Sequence, residues 1–103
     1  MFVQGITPVI IDTATSGANT ILASAAGKTI YVWKYILTTA SATTVTWKDG
    51  TTALTGAITT ATGQPEKSPQ VPDERPIWAV AGNLVLTLGG NVQTSGTVWI
   101  TQV

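Results

Sequence analysis

The sequence predicts an all-β protein, a single-domain β-sandwich of jelly-roll type with about eight short antiparallel strands. Threonine makes up about a fifth of the 103 residues, and together with Val, Ile and Trp it gives the composition of pleated, half-buried surfaces. Strand-like segments recur about every 8 to 12 residues, and no stretch shows the period of a helix. A chain of this length has room for one core, so residues 1–103 are expected to form one domain.

The first third of the chain predicts three strands. Pro8–Thr13 begins with a proline, which donates no ladder hydrogen bond and is usual at the start or edge of a strand. Ser16–Asn19 predicts a turn, and Thr20–Ser24 predicts the second strand. Thr29–Thr39 predicts the third strand, which is the longest.

This third strand is apolar on both of its alternating faces. One face is aliphatic apart from a single lysine: Ile30, Val32, Lys34 and Ile36. The other face is largely aromatic: Tyr31, Trp33, Tyr35 and Leu37. In a sandwich one face of a sheet packs on the opposite sheet, and the other meets water. The aromatic row therefore predicts a cover, either the proline-rich segment that follows or the same sheet of a neighbouring copy.

The middle of the chain predicts a hairpin followed by a long loop. Asp49-Gly50 is a signal for a two-residue turn, so the flanking segments TVTWK and TTALT are expected to pair. Residues 56–76 hold four of the five prolines and half of the charged residues. Prolines this close together prevent a continuous ladder, which predicts an extended surface loop. A loop of this length in so short a domain is usually functional or docked on a partner.

The last third predicts strands again. The segments PIWAV, LVLTLGG and VQTSGTVWITQV are rich in apolar residues that alternate or run together, and AGN between the first two reads as a turn. Leu84, Leu86 and Leu88 fall on one face of their strand. Gly96 interrupts the final strand, which predicts a bulge or a bend at that position.

Charge and composition disfavour several classes of partner. Five basic residues balance five acidic ones, so no long-range field attracts nucleic acid or anionic lipid. No apolar run approaches the roughly 18 residues of a membrane span, and the N-terminus lacks the basic region of a leader, which predicts an unprocessed protein made in the cytoplasm. Zero net charge with a mean hydropathy of +0.29 indicates assembly, because nothing repels neighbouring copies.

No group of residues has the makings of a chemical site. With neither His nor Cys, acid–base chemistry and metal binding would depend on five carboxylates: Asp12, Asp49, Glu66, Asp73 and Glu74. Asp49 belongs to the turn and Asp12 to a strand end. The remaining three share a loop with Lys67 and Arg75, where charge pairing or a partner contact is a better explanation than catalysis. We therefore expect no enzyme, no metal, no cofactor and no small-molecule substrate; a hydrolase using that loop is the weakest alternative.

The four tryptophans are the strongest remaining signal, because rings of this size fill cores or subunit interfaces. Trp47 alternates with threonines, which predicts a core position. Trp33, flanked by two tyrosines at alternate positions, predicts an interface position. Trp78 and Trp99 are also candidates for an interface. If they were exposed on a concave face they would instead favour a carbohydrate-binding module or a receptor-binding module.

Three segments carry a family resemblance: GITPVIIDTATSGANTILASAAGKTIYVWKYILTT, TTVTWKDGTTALTGAI and NLVLTLGGNVQTSGTVWITQV. They cover nearly the whole chain and share a pattern of small and apolar residues. The pattern runs from a GI-P start through AGK-I-V and a K-G-T-LTG hairpin to an L-L-L ending with SG. In this respect the chain resembles the small β-sandwich head proteins of tailed bacteriophages, the decoration or cement proteins on the outside of the capsid.

The resemblance implies a non-enzymatic virion protein that binds the capsid exterior, often as a homotrimer at three-fold or quasi-three-fold positions, and strengthens the shell against internal DNA pressure. Its partners would be the major capsid protein and its own copies. Residues 64–75 are a candidate docking arm, because extended segments can add to exposed sheet edges. The residues expected at a subunit or capsid interface are Tyr31, Trp33, Tyr35, Glu66, Lys67, Asp73, Glu74, Arg75, Trp78 and Trp99.

Overall fold

Within the residues that the structure describes, the fold consists of ten short β-strands. The computed structural model describes residues 6–68 and 75–103. The strands are β1 Thr7–Thr13, β2 Gly17–Leu22, β3 Ile30–Thr39, β4 Thr44–Asp49, β5 Thr52–Ala53, β6 Ile58–Thr59, β7 Glu66–Lys67, β8 Trp78–Val80, β9 Leu84–Leu88 and β10 Thr94–Gln102. This part of the chain contains no helix long and apolar enough to cross a membrane. The predicted all-β class is confirmed.

The strands form two five-stranded sheets packed face to face. Sheet A has the order β1-β10-β3-β7, with β8 also paired to β3, and sheet B has the order β2-β9-β4-β5, with β6 also paired to β4. The paired strands run antiparallel. If β5 and β6 count as one interrupted strand and β7 and β8 as another, the positions follow the orders 1-8-3-6 and 2-7-4-5 of a jelly roll. The predicted sandwich is therefore confirmed, with two of its strands each divided in two.

The core lies between the sheets and is built by alternation along the strands. Sheet A contributes Ile11, Ile30, Val32, Tyr35, Leu37, Val80, Val98 and Ile100. Sheet B contributes Val45, Trp47, Leu84, Leu86 and Leu88, which confirms the predicted row of leucines. Trp47 is 0% exposed and is the largest of the fully buried side chains, as its alternation with threonines predicts.

The predicted hairpin after β4 is confirmed, but its turn lies one residue later than the sequence indicates. Asp49 pairs with Thr52, so the turn consists of the two residues between them. The first of these, Gly50, has a φ of 61°, which glycine adopts without strain. The Asp49 carboxylate accepts hydrogen bonds from the backbone N–H groups of Ala81 (3.2 Å) and Gly82 (2.9 Å). It thereby joins the hairpin to the turn between β8 and β9.

The second strand begins earlier than predicted. The stretch Ser16–Asn19 was expected to be a turn, but Gly17 already opens β2 and pairs with Leu88. Asn19 serves the preceding turn through its side chain, because its Nδ2 donates to the carbonyl of Thr15 at 2.8 Å. The predicted bounds of the turn are therefore wrong, since Asn19 lies in β2 and bonds back to the residues that precede the strand.

The proline-rich stretch 56–76 is not one continuous loop, and the prediction is wrong in two places. Residues of β6 pair with β4 and residues of β7 pair with β3, so the chain crosses from sheet B to sheet A within this stretch. The Ser68 N–H donates to the carbonyl of Tyr35 (3.0 Å), and the Ile77 N–H donates to the carbonyl of Val32 (2.7 Å). The prolines shorten the pairing but do not prevent it. Residues 69–74, part of the predicted docking arm, lie outside the described residues.

Gly96 does not mark the predicted bulge. In β10 it keeps a regular register, paired with Ile11 on one side and Leu37 on the other. A Cβ atom at this position would lie 2.7 Å from the Cα of Leu37 and would clash with the carbonyl of Ile36. The glycine therefore serves the close approach of β10 to β3.

Candidate interaction face of sheet A

A β-bulge at Trp33 divides β3 into two parts. On β10, Trp99 pairs with Lys34 and Ile100 pairs with Val32, which leaves Trp33 as the extra residue. Because side chains alternate with a period of two, one inserted residue exchanges the faces of every residue that follows.

The bulge overturns the predicted faces of β3. Before the bulge, Val32 is buried in the core and Tyr31 lies on the outer side, in line with the prediction. After it, Tyr35 and Leu37 are buried and Ile36 is half-buried on the outer side. The predicted row from Tyr31 to Leu37 is therefore wrong beyond Trp33, and Tyr35, only 6% exposed, belongs to the core.

Three aromatic rings meet inside the sandwich. Tyr35 stacks on Trp78 with ring centroids 5.8 Å apart and an interplanar angle of 17°. Trp47 lies tilted against both, at centroid distances of 5.1 Å from Tyr35 and 6.0 Å from Trp78. Trp78, one of the predicted interface residues, is half-buried and packs against the core. The rings of Tyr35 and Trp78 are thus engaged within the subunit.

Tyr35 is a neutral structural residue at physiological pH. Burial raises the pKa of its hydroxyl above the usual value, the Glu66 carboxylate raises this pKa further, and the Trp47 indole partly offsets both effects. Among the described residues, the Trp47 indole N–H is buried and has no hydrogen-bond partner of good geometry. Glu66 is half-buried and pairs with Leu37, whose side chain is buried. The Glu66 carboxylate thus lies in a strand, where it raises the pKa of the core tyrosine, and not in a loop.

The outer side of sheet A gathers apolar and aromatic residues that the core does not use. The register places Pro8 of β1 beside Trp99 of β10, and it places Ile10 of β1 in one row with Thr97 of β10 and Ile36 of β3. Ile10 is 77% exposed. We call this surface the aromatic face; its members are Pro8, Ile10, Tyr31, Trp33, Ile36 and Trp99.

Polar contacts hold the two indoles of the aromatic face in place. The Trp33 Nε1–H donates to Thr101 Oγ1 at 3.1 Å, and this threonine, on the outer side of β10, is buried. The Lys34 Nζ lies 4.6 Å from the centroid of the Trp99 ring, a cation–π contact. The single lysine beside the bulge is therefore paired with an aromatic ring of the same face.

Opposite charges stand at the two edges of this face. Asp12 is exposed on β1, where it pairs with Ser95, and its Oδ1 accepts a hydrogen bond of 2.7 Å from Gln93 Nε2. Lys67 is exposed on β7, next to Ile36. The β1 edge thus carries a carboxylate, and the β7 edge carries an ammonium group.

The outer side of sheet B has a different character. Its rows across β2, β9 and β4 are mostly threonine and small residues, with one lysine: Ala18, Thr20, Thr44, Thr46, Lys48, Val85 and Thr87. Val85, the largest apolar member, is only 5% exposed. Sheet B therefore offers water a polar surface.

The structure brings together only part of the predicted interface set. Three of the ten residues lie on the aromatic face: Tyr31, Trp33 and Trp99. Lys67 and Arg75 are exposed, and Lys67 lies at the edge of that face. Two point inward, Tyr35 and Trp78, and Glu66 stands beside them. Asp73 and Glu74 lie outside the described residues.

Sequence reasoning missed the contribution of β1. Pro8, Ile10 and Asp12 alternate with Val9 and Ile11, and only Ile11 of the two adjacent isoleucines is buried. The signal was present, because two neighbouring isoleucines in a strand must point to opposite sides. The sequence does not show which of the two isoleucines faces water, because that depends on the position of β1 at the edge of sheet A beside β10.

Within residues 6–68 and 75–103, no three His, Cys, Asp or Glu side chains come together in a way that could hold a metal ion. The sequence matches no protein-family model, and no curated protein matches it. The aromatic face and the fold are therefore the observations from which function can be inferred.

Proposed function

We propose that this protein is a non-enzymatic structural virion protein that binds the outside of an assembled phage capsid and stabilises it, and that it does so as a homotrimer. The aromatic face carries the proposal. It places six apolar or aromatic residues on the water side of one sheet of a chain with no net charge. Pro8 and Ile10 are exposed and the other four are half-buried. An apolar patch on the water side of a sheet is typical of contacts with other proteins.

Two further features support the proposal. The jelly-roll sandwich suits the small phage head proteins that the sequence pattern resembles, and such a module acts through its surfaces. Five acidic and five basic residues cancel, so copies can approach one another and a shell without long-range repulsion. The partners are then the major capsid protein and further copies of this chain, on the exterior of the virion.

The sugar-binding alternative has less support from the geometry. It requires aromatic rings with open faces, onto which a sugar can stack. Trp78 is stacked on Tyr35 inside the sandwich. The ring of Trp99 is approached by the Lys34 ammonium at 4.6 Å, and the indole N–H of Trp33 already donates to Thr101. These contacts compete with a sugar for the same groups.

The docking arm can now be defined more closely than 64–75. Glu66 and Lys67 pair with β3, and Ser68 and Ile77 both bond to β3. Removing 64–75 would therefore damage sheet A as well as the arm. Replacing only residues 69–74 by a Gly/Ser linker of equal length retains every one of those contacts and removes two prolines and two carboxylates.

The experiment is co-sedimentation with empty capsid shells from a mutant of the parent phage that lacks this gene. We expect the wild-type protein to bind at saturable stoichiometry and to raise the temperature at which the shells break. The 69–74 linker variant is expected to bind more weakly while keeping the unfolding temperature of the sandwich. Absence of wild-type binding, or a virion that antibodies against the protein fail to label, would refute the proposed function. Undiminished binding by the linker variant would remove the arm from it.

A further inference from the structure

We infer that the aromatic face of one copy packs against the aromatic face of a second copy of this chain, with the β1 edge of one beside the β7 edge of the other. This inference rests on the self-association in the proposed function and specifies which surfaces make the contact. The occupant of the face is thus this protein itself.

The first argument is the apolar area at the centre of the face. Ile10, 77% exposed, stands in one row with the half-buried Ile36, and the neighbouring row contains Pro8 and Trp99. Removing such surface from water is favourable by about 25 cal/mol per Å². Neighbouring copies offer the same apolar centre, so association removes the apolar surface of each copy from water.

The second argument is charge. Asp12 on β1 and Lys67 on β7 are separated by three strand spacings, roughly 14 Å, which is too far for them to pair within one copy. When two such faces turn toward each other so that a β1 edge meets a β7 edge, the aspartate of one copy comes to the lysine of the other. Lys34, a cation on the same face, lies over the Trp99 ring, so its ammonium group has an aromatic partner at the contact.

The third argument is size. A stable protein–protein contact takes about 800 Å² from each partner, which is about one seventh of the 5713 Å² accessible surface of this chain. One copy can therefore make two such contacts, one at each edge of the face, and still expose most of its surface to water or to a capsid. Closed rings and two-fold pairs both satisfy the β1-to-β7 arrangement.

The test is a charge exchange followed by light scattering at a concentration where the wild type is assembled. Asp12→Lys and Lys67→Asp each place like charges together, and each is expected to raise the dissociation constant at least about tenfold. The double variant restores an opposite pair and is expected to regain the wild-type mass. The matched controls are Gln93→Ala, which removes the hydrogen bond to Asp12 without changing charge, and Thr20→Lys, which adds a lysine on the outer side of sheet B.

Each outcome decides the matter. Rescue by the double variant supports the packing, and a dimeric mass with rescue supports it while contradicting the trimer. A monomeric wild type, or a double variant that stays dissociated while circular dichroism shows it folded, overturns it. If an exchanged variant fails to fold, Ile10→Lys provides the second test, because it places a charge at the centre of the face and is expected to prevent assembly. Capsid binding without rescue would leave the proposed function standing and overturn only this arrangement.

Discussion

The outer sides of the two sheets were built by the same rules of alternation and yet have opposite characters. The outer side of sheet A carries the half-buried rings of Trp33 and Trp99 and the exposed side chain of Ile10. The outer side of sheet B consists mostly of threonines, and its largest apolar residue, Val85, is buried. Threonine and aromatic residues both favour strands, so strand formation alone does not require the difference.

The difference shows which outer side carries residues that strand formation does not require. Threonine fits a pleated strand and leaves the outer side of sheet B largely polar, although the Thr87 hydroxyl is buried with no hydrogen-bond partner among the described residues. The aromatic residues of sheet A are therefore not needed to make a strand, and their position outside the core separates them from the packing that holds the fold together. We interpret them as residues for contact with other proteins.

The largest expected effect is the difference in stability lost when a tryptophan is removed from the core and when one is removed from the aromatic face. Trp47→Ala should lower the free energy of unfolding by about 3–5 kcal/mol, because it opens a cavity beside the stacked rings of Tyr35 and Trp78. Trp33→Ala, at a half-buried outer position, should cost about 1 kcal/mol, largely the hydrogen bond to Thr101. Urea denaturation of dilute protein measures both. Equal losses would show that the outer ring supports the fold after all.

The next effect compares the two outer sides directly. Trp99→Ala should weaken self-association by about 2 kcal/mol, roughly 30-fold, because tryptophan is enriched among the residues that dominate interfaces. Thr46→Ala, on the outer side of sheet B, should leave the dissociation constant unchanged. Analytical ultracentrifugation over a concentration series measures the two constants. If Thr46→Ala weakened self-association more than Trp99→Ala, the contact between copies would lie on sheet B and not on the aromatic face.

A third prediction concerns the backbone that supports the aromatic face. Gly96→Ala should destabilise the fold by about 1–3 kcal/mol, because its Cβ would meet Leu37 Cα at 2.7 Å. The matched control is Gly56→Ala, where a Cβ meets no described atom within 4 Å. That substitution should be neutral or stabilising by up to about 1 kcal/mol. If thermal unfolding shows no difference between the two variants, the close approach of β10 to β3 is not a constraint.

The smallest effect is confined to high pH. The folded-state pKa of Tyr35 is raised by burial and then by Glu66, so above about pH 10 the unfolded chain loses this proton more readily than the folded one. The stability associated with Tyr35 is thus fully present below that pH and falls as pH rises toward the folded-state pKa. Tyr35→Phe should flatten the fall in unfolding free energy between about pH 9 and 11. An unchanged slope in the variant would assign the fall to other groups.

Much of the fold was accessible to sequence reasoning, because it depends on local signals. Alternation placed Trp47 and the three leucines of β9 in the core. Asp49-Gly50 located the hairpin to within one residue. The recurrence of short strands gave the sandwich, although two strand positions proved to be interrupted.

The candidate site was predicted less completely. Tyr31, Trp33 and Trp99 were predicted to lie at an interface, and all three lie on the aromatic face. Tyr35 was assigned to the wrong face because the bulge arises from the pairing of β3 with β10, in which β3 has one residue more than the matching part of β10. Ile10 was missed because exposure at a sheet edge depends on which strands are neighbours.

The sequence alone determined the class of the fold, the identity of its central tryptophan and the absence of net charge. These follow from composition and from spacing along the chain, which are properties of neighbouring residues. Only the tertiary structure decided which aromatic residues face water. That outcome depends on the register of β3 with β10, set by contacts between residues about 65 positions apart in sequence. A one-residue shift in that register exchanges core and surface, and no local pattern records it.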